Sequence, residues 1–267
     1  MATEMTIMEH LNELRTRIFH VVIAVIIITV FAMSFDLRPV EYAGIPLAYP
    51  FPDTIHNVSA RLILFMQHDL LPPNVTLVQN QPGQAFFAQV YVSILIGLIG
   101  AVPVIAREIS GFISPAISSN ARAGITKIFA PSIALFLAGV IFSYLVVIPF
   151  ILGFLYQYGE AIGAVPLLNV TDFLSFVLQF VLGFGVAFQL PILMYGISLT
   201  GMISPQFWRN NLRYAIIVIV IFGAAITPDG SGITMWFVSI PMMALYLGGM
   251  VVVERRAKSM RDSETNT

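Results

Sequence analysis

Long runs of apolar positions, separated by short polar stretches, dominate the chain. Six runs predict membrane-spanning helices, at residues 18–35, 86–106, 128–158, 173–200, 214–227 and 233–253. The third run is longer than a helix needs to cross a bilayer. The fifth run is short: at 1.5 Å per residue it extends about 21 Å, against roughly 30 Å of hydrocarbon. The pattern predicts an all-α integral membrane protein with one domain, residues 1–254, followed by a short tail, 255–267.

The stretch between the first two runs, residues 36–85, is polar to mixed and rich in proline. Within it Val58, Leu62, Phe65 and Met66 keep helical spacing, which predicts a short amphipathic helix near the membrane interface. We therefore expect this loop to be ordered. Inside the fourth run, Pro191 predicts a kink.

Composition and charge agree with a membrane protein. Apolar residues make up 58% of the chain, charged residues 10%, and mean hydropathy is +0.88. No cysteine is present, which excludes disulfides and thiolate metal sites. If six spans are assumed, eleven of the thirteen basic residues lie on the side of the termini, leaving Arg38 and Arg61 opposite. By the positive-inside rule both termini are cytoplasmic, and we expect a multi-pass protein of the cell membrane.

Three short sequences match the N-glycosylation pattern, at Asn57, Asn74 and Asn169. All three fall in segments predicted to lie outside the cell. Because so short a pattern also arises by chance, modification stays an open question.

Several chemistries are excluded. No histidine follows His68, so an intramembrane serine protease and a zinc protease both lack an essential side chain. An ion-coupled transporter usually carries a carboxylate, lysine or histidine near the midplane, and spans two to six contain none. A secondary transporter or small-solute channel using the groove around Gln189 is the alternative function, although its expected repeats are missing. An insertase is disfavoured because no basic residue lies within the spans.

The start of the chain offers a candidate binding face. Glu9, Glu13 and Arg17 follow one another at four-residue spacing and so share one side of a helix. Two interpretations are open. The residues form a solvated helix start with an ordinary salt pair, or Glu13 stands at the membrane surface as a receptor for a cationic ligand.

Gln189 is the one strongly polar side chain well inside a predicted span. An amide at such a depth commonly joins neighbouring helices of the same chain. The same hydrogen bonds would also suit contact with a partner's transmembrane helix, so both interpretations are kept.

Several segments in order along the chain closely resemble the TatC family, the multi-spanning component of the twin-arginine protein translocase. They are residues 9–17 (EHLNELRTR), 112–115 (FISP), 173–176 (FLSF), 183–191 (GFGVAFQLP), 226–229 (ITPD) and 240–241 (IP). Each is weak alone, but their order and the matching spans make the resemblance specific, and it covers essentially the whole chain.

The resemblance implies a concave bundle with a structured outer loop between helices 1 and 2. It also implies binding of twin-arginine signal peptides at the cytoplasmic face and export of folded proteins driven by the proton-motive force. The expected partners are single-span TatA-type, and in some systems TatB-type, membrane proteins, together with further copies of this chain and lipid. No enzymatic activity, cofactor, metal or nucleic acid is implied.

Residue by residue, Glu13 matches the family's N-terminal signal-binding glutamate, and Arg15 and Arg17 its basic neighbours. The family's second signal-binding acid is expected after the 112–115 motif, where this chain has Ala121. Either Glu9 or Glu108 takes its place, or the receptor uses one acid fewer.

The remaining matches concern partner contact and structure. Gln189 takes the position of the family's polar residue in partner contact. Asp229, in a short outer loop, is expected to cap the sixth helix. The family's structural and outer-surface positions match Pro50, Phe86, Phe87, Pro115 and Pro191.

Overall fold

The computed structural model describes residues 7–42, 45–72, 74–113, 119–164, 167–199, 203–227, 229 and 231–265. These residues are mostly helical. The helices are α1 (Ile7–Ser34), α2 (Val58–Leu70), α3 (Gln84–Gly100), α4 (Val102–Ile113), α5 (Ser119–Phe142), α6 (Ile148–Ala161), α7 (Val170–Ala187), α8 (Leu190–Leu199), α9 (Pro205–Asn210), α10 (Leu212–Ile226) and α11 (Ile233–Thr265). The strands are β1 (Phe35–Tyr42), β2 (Ile45–Pro52), β3 (Thr76–Val78) and β4 (Leu167–Asn169).

The apolar runs of the sequence correspond to helices. Within the described residues, four helical stretches are long and apolar enough to cross a membrane: Met8–Ser34, Ile128–Ala161, Val170–Leu199 and Ile233–Lys258. A fifth arises if the bent pair α3–α4 is one span, and α10 is a shorter apolar helix of 15 residues. The prediction of a mostly helical chain with several membrane-length helices is confirmed. Helix α11 continues through most of the predicted tail, to Thr265.

Prolines mark two of the breaks in these helices. Pro103 follows Ala101, where α3 and α4 meet at an angle of 50°. Pro191 lies just after Phe188 and Gln189, the two residues that interrupt the helix between α7 and α8. Because proline has no N–H, the carbonyl of Ala187 four residues earlier lacks its helical donor. The kink predicted at Pro191 is therefore a short break on its N-terminal side.

The chain divides into two compact units, and each is described by itself. The first comprises Met1–Glu108 and Ile148–Gln179. Its core includes Ala32 of α1, Val92 of α3, and Phe173, Leu174 and Val177 of α7, all at most 1% exposed. Helices α1 and α3 pack closely, because Gly97 leaves room for the side chain of Thr29 and the carbonyl of Val25.

The loop between α1 and α3 contains regular structure, and the fold is not purely α-helical. Strands β1 and β2 form an antiparallel hairpin, and β3 pairs in parallel with β4. Asp36 of β1 is almost fully buried and forms ion pairs with Arg38 (3.2 Å) and with Arg61 of α2 (2.6 Å). These contacts attach the hairpin to the amphipathic helix that the spacing of Val58 to Met66 predicts.

The second unit comprises Ile109–Val147 and Phe180–Thr267. Glycines again permit close helix packing: a Cβ on Gly223 would approach the carbonyl of Met235 in α11 to 3.1 Å, and one on Gly249 would approach Pro191 Cα to 3.0 Å. At one end of this unit, Tyr246 donates a hydrogen bond to the carbonyl of Trp208 (2.8 Å), and Arg209 pairs with Glu254 (2.8 Å).

Candidate functional site

The helix pair α1 and α3 sets up a polar cluster near the start of the chain. The two helices run antiparallel, with Gly97 beside Thr29 and Gly100 beside Ile28. Helix α4 continues along α1 after the bend near Pro103, and brings Glu108 to Arg17. The bend between α3 and α4 thus places Glu108 against the charged turn that precedes the first apolar run.

Arg17 lies between two carboxylates. Its Nε and Nη2 donate to the same oxygen of Glu13, Oε1, at 3.0 and 2.5 Å. Its Nη1 donates to Glu108 Oε2 at 3.1 Å and to the Glu108 carbonyl at 3.3 Å. His20 Nδ1 lies 3.2 Å from the other carboxylate oxygen of Glu108. We call these four residues, Glu13, Arg17, His20 and Glu108, the acid cluster.

The acid cluster is partly shielded from water. The side chains of Glu13, Arg17 and Glu108 are 20%, 24% and 15% exposed. At this burial a hydrogen bond to a charged group contributes roughly 1–3 kcal/mol, more than a surface ion pair does. Two carboxylates face one guanidinium and one imidazole, so the cluster carries excess negative charge whenever His20 is neutral.

The structure brings together some of the predicted binding residues and not others. Glu13, Arg17 and Glu108 meet, and Glu108 rather than Glu9 is joined to Glu13 through Arg17. Glu9 lies exposed one turn earlier on α1. Arg15 is also exposed and has no ion pair within the described part of the chain. Ala121 belongs to α5, and Pro115 lies outside the described residues.

His20 is the member of the cluster that sequence reasoning missed. It follows Arg17 by three residues on α1, so helical spacing was the signal that could have found it. Glu108 was a candidate, but nothing in the pattern indicated that Arg17 links it to Glu13 across 91 positions. Within the described ranges, no three His, Asp or Glu side chains are arranged to hold a metal ion.

Gln189 has a partner within its own unit. Ser132 Oγ of α5 donates to Gln189 Oε1 at 2.6 Å, and Gln189 Nε2 donates to the Ser132 carbonyl at 3.1 Å. The amide therefore joins α5 to the break before α8, as the first interpretation of this residue expected. Contact with a partner helix stays a prediction.

Other predicted positions are exposed or hold local structure. Pro50 is exposed in β2, and Phe86 and Phe87 are 54% and 55% exposed in the first turn of α3. Asp229 accepts hydrogen bonds from the hydroxyls of Ser231 and Thr234, and so contacts the first turn of α11 without being its N-cap residue.

The three glycosylation sequences differ in exposure. The amide nitrogen of Asn57 donates to the carbonyls of Met33 and Thr54 and to Gln89 Oε1, at 2.8 to 3.1 Å, and the residue is fully buried. A nitrogen so engaged is not accessible for glycosylation in the folded chain. Asn74 is exposed, and Asn169 accepts two hydrogen bonds from Thr171 before α7.

Comparisons of the sequence and of the fold with known proteins agree on one family. The sequence profile described as Sec-independent protein translocase protein (TatC) matches residues 9–241. A protein of that name from Cenarchaeum symbiosum is 48% identical, over 98% of this chain and 99% of its own. One from Aquifex aeolicus is 32% identical, over 91% and 92%. A crystal structure of a twin arginine translocase receptor, TatC, in DDM is 30% identical with a TM-score of 0.75, covering 92% of this chain and 99% of its own.

The helical order, the chain-long similarity and the fold agree with the resemblance drawn from the sequence motifs, and that prediction is confirmed. The chain belongs to the TatC family of Sec-independent protein translocase proteins.

Proposed function

We propose that this chain is the receptor of a twin-arginine translocase and binds twin-arginine signal peptides at its cytoplasmic face. The observation that carries the proposal is the half-buried pair of carboxylates in the acid cluster, Glu13 and Glu108. A relative of known structure is named a twin arginine translocase receptor, and its fold covers 92% of this chain.

The topology that goes with this function has six spans and both termini in the cytoplasm. The bent pair α3–α4 forms the second span and the short helix α10 the fifth, together with the four long helical stretches. The basic residues favour this orientation by the positive-inside rule. The acid cluster then lies at the inner surface of the cell membrane, next to the solvent in which signal peptides arrive.

The chemistry of the cluster suits arginine. A guanidinium is planar and donates two parallel hydrogen bonds to one carboxylate, which the ammonium of lysine cannot do. Two acids within reach of one guanidinium give a receptor that selects arginine side chains. Glu108 takes the role of the second signal-binding acid, for which the family position has Ala121.

Export requires partners. A folded cargo of about 100 residues has a radius of gyration near 13 Å, so its diameter rivals several helices of roughly 10 Å each. Six helices do not enclose a conduit of that size, and TatA-type partners, with TatB-type partners or further copies of this chain, complete the route. Gln189, near the break before α8, is the polar contact for a partner helix. The proton-motive force drives transport through the assembly, since spans two to six carry no Asp, Glu, Lys, Arg or His for a relay.

Photo-crosslinking tests the receptor function. A signal peptide with a photoreactive residue beside Arg-Arg is irradiated with membranes containing the chain, and adducts are mapped. A Lys-Lys peptide is the comparison. We expect adducts on the first turns of α1 for Arg-Arg, a loss of most of them in Glu13→Ala, and few for Lys-Lys.

The matched control is Glu160→Ala, which removes one exposed carboxylate at the end of α6. It should leave crosslinking unchanged. Equal crosslinking of the two peptides, or equal yields with and without Glu13, would remove the receptor function from this site.

A further inference from the structure

The acid cluster is already occupied by an arginine of the chain itself. Arg17 uses three guanidinium nitrogens to bridge Glu13 and Glu108, and these are the donors that an arginine of a ligand would offer. The two acids proposed to bind a signal peptide are therefore not open carboxylates in this structure.

The contact between Arg17 and Glu13 is incomplete. Both Nε and Nη2 of Arg17 bind the single oxygen Oε1, so the parallel two-oxygen arrangement of an arginine–carboxylate pair is not formed. Glu13 Oε2 is buried and accepts no hydrogen bond from the described residues. A buried carboxylate oxygen without a donor is unfavourable. A second guanidinium that engages both oxygens of Glu13 would satisfy it.

Arg17 can leave without any change of the backbone. It follows Glu13 by one helical turn on α1, and its side chain is 24% exposed and long enough to rotate outwards. The charge balance also permits an exchange. Glu13 and Glu108 keep one guanidinium between them when a ligand arginine replaces Arg17, so no buried acid is left unpaired.

We infer that Arg17 is an internal competitor for the Glu13–Glu108 site, and that a ligand binds there only by displacing it. The inference rests on the proposed function, because it assigns to Arg17 the control of affinity at the same site. A ligand arginine matches the bridging contacts of Arg17 and adds a bond to Glu13 Oε2. A ligand lysine offers a single ammonium, matches fewer of these contacts and therefore displaces the bridge less readily. Arg17 thus sets the free-energy cost that any ligand of the two acids must overcome, and the preference for arginine over lysine comes from the direct contacts.

The test measures peptide affinity for the full-length protein in lipid nanodiscs. Fluorescence anisotropy gives Kd values for an Arg-Arg signal peptide and its Lys-Lys counterpart with wild type, R17Q and R17K. With the competitor gone, R17Q should bind Arg-Arg roughly tenfold more tightly, the effect of about one charge-assisted hydrogen bond. The Lys-Lys peptide is freed of the same displacement cost, so the ratio of the two Kd values should stay near that of wild type. R17K keeps the positive charge but cannot bridge both acids, so it should also bind more tightly than wild type.

Control variants separate competition from general repulsion. R15Q removes the same charge from an exposed neighbour on α1 and should give a much smaller gain in affinity for the Arg-Arg peptide than R17Q does. The inference is wrong if R15Q and R17Q gain the same affinity for the Arg-Arg peptide while R17K binds it as tightly as wild type does. Arg17 would then only repel cationic peptides. Weaker or unchanged Arg-Arg binding by R17Q and R17K would also overturn it, since Arg17 would then hold the acids in position.

A further variant separates this inference from the proposed function. If E13Q binds the Arg-Arg peptide as tightly as wild type, the site itself is wrong, whatever R17Q does. If E13Q no longer binds the Arg-Arg peptide and R17Q binds it no more tightly than wild type, the receptor function is supported and the competition by Arg17 is wrong. Melting curves of each variant in the same nanodiscs identify any that fail to fold, and R17K is then the conservative replacement on which the decision rests.

Discussion

Asp229 shows how a loop residue links stability to pH. Partial burial alone would raise the pKa of its carboxyl group, but hydrogen bonds from Ser231 and Thr234 outweigh burial and hold the pKa below the ordinary value. A group with a lowered pKa stabilises the fold at pH values above its unfolded pKa of about 3.9. That contribution is lost as the pH falls through the folded value.

The corresponding prediction concerns the acid side of the stability curve. Asp229→Asn should lower the melting temperature at pH 7, and its melting temperature should fall less than that of wild type between pH 6 and pH 3, because the titrating carboxyl group is gone. Asp69→Asn, which changes an exposed carboxylate at the end of α2, is the control and should follow the wild-type curve. Parallel curves for wild type and Asp229→Asn would contradict the prediction.

Residue patterns in the sequence predict local pairs but not distant ones. The spacing of Glu13 and Arg17 predicts their ion pair, because four residues along a helix bring side chains together whatever the rest of the chain does. Glu108 joins them only because α4 follows the bend after α3, which no local pattern encodes. The sequence pattern at Asn57 likewise does not indicate that its amide nitrogen donates hydrogen bonds to Met33, Thr54 and Gln89.

Among elements, the apolar helices are the most predictable. The length of an apolar run shows by itself whether a helix can cross a bilayer. The first and last residues of the run do not depend on contacts with other helices. The break near Pro191 was predicted, because proline removes one helical donor. The bend near Pro103 was not predicted.

The hairpin β1–β2 was not predicted from the sequence, because its two strands contain four prolines and proline is uncommon in strands. Pro39, Pro46, Pro50 and Pro52 all fall in the same alternate set of cross-strand pairs. Since proline has no N–H, this set is the one that exchanges no backbone hydrogen bonds, and the prolines are tolerated. Three of them lie on β2, whose outer edge therefore lacks several donors. Such an edge is a poor template for pairing with another strand.

The packing of α1 on α3 depends on one small residue. A Cβ on Gly97 would clash with the Thr29 hydroxyl and approach the Val25 carbonyl to 2.9 Å, and a backbone atom cannot move aside cheaply. Gly97→Ala should lower the free energy of unfolding by about 1–3 kcal/mol through overpacking. Thermal or denaturant unfolding in detergent measures this change.

Gly153 of α6 is the matched control for that substitution. Nothing lies within 4 Å of a Cβ built there, so Gly153→Ala should be neutral or slightly stabilising. Equal effects of the two substitutions would mean that the α1–α3 contact is looser than the structure indicates. No feature of the sequence distinguishes the two glycines, since both lie within apolar runs.

At the scale of the whole chain, hydropathy and motif order were sufficient for the family and for the succession of helices. They did not reveal the division into two units, Met1–Glu108 with Ile148–Gln179 and Ile109–Val147 with Phe180–Thr267. Two of the boundaries fall inside helices, within α4 and α7, where the helix continues across the boundary.

The length of α10 matters for the molecule within its membrane. Its 15 residues extend about 22 Å, which is less than the roughly 30 Å thickness of bilayer hydrocarbon. As the fifth span of the proposed topology, α10 would favour a thinner bilayer around it. If the proposed export function uses this thinning to lower the barrier for cargo, the shortness of α10 is functional rather than incidental.

Lengthening α10 tests that connection. Insertion of four leucines after Ile219 adds about 6 Å of apolar helix, which relieves the mismatch, and export of a folded twin-arginine reporter should fall severalfold. The insertion also displaces Gly223, which packs against Ser239 and Met235 of α11, so a loss of export alone is ambiguous. Four serines at the same place displace Gly223 equally but add no apolar length, and they should reduce export less. Equal export by both variants, whether retained or lost, would exclude a role for thinning, because apolar length is the property in which they differ.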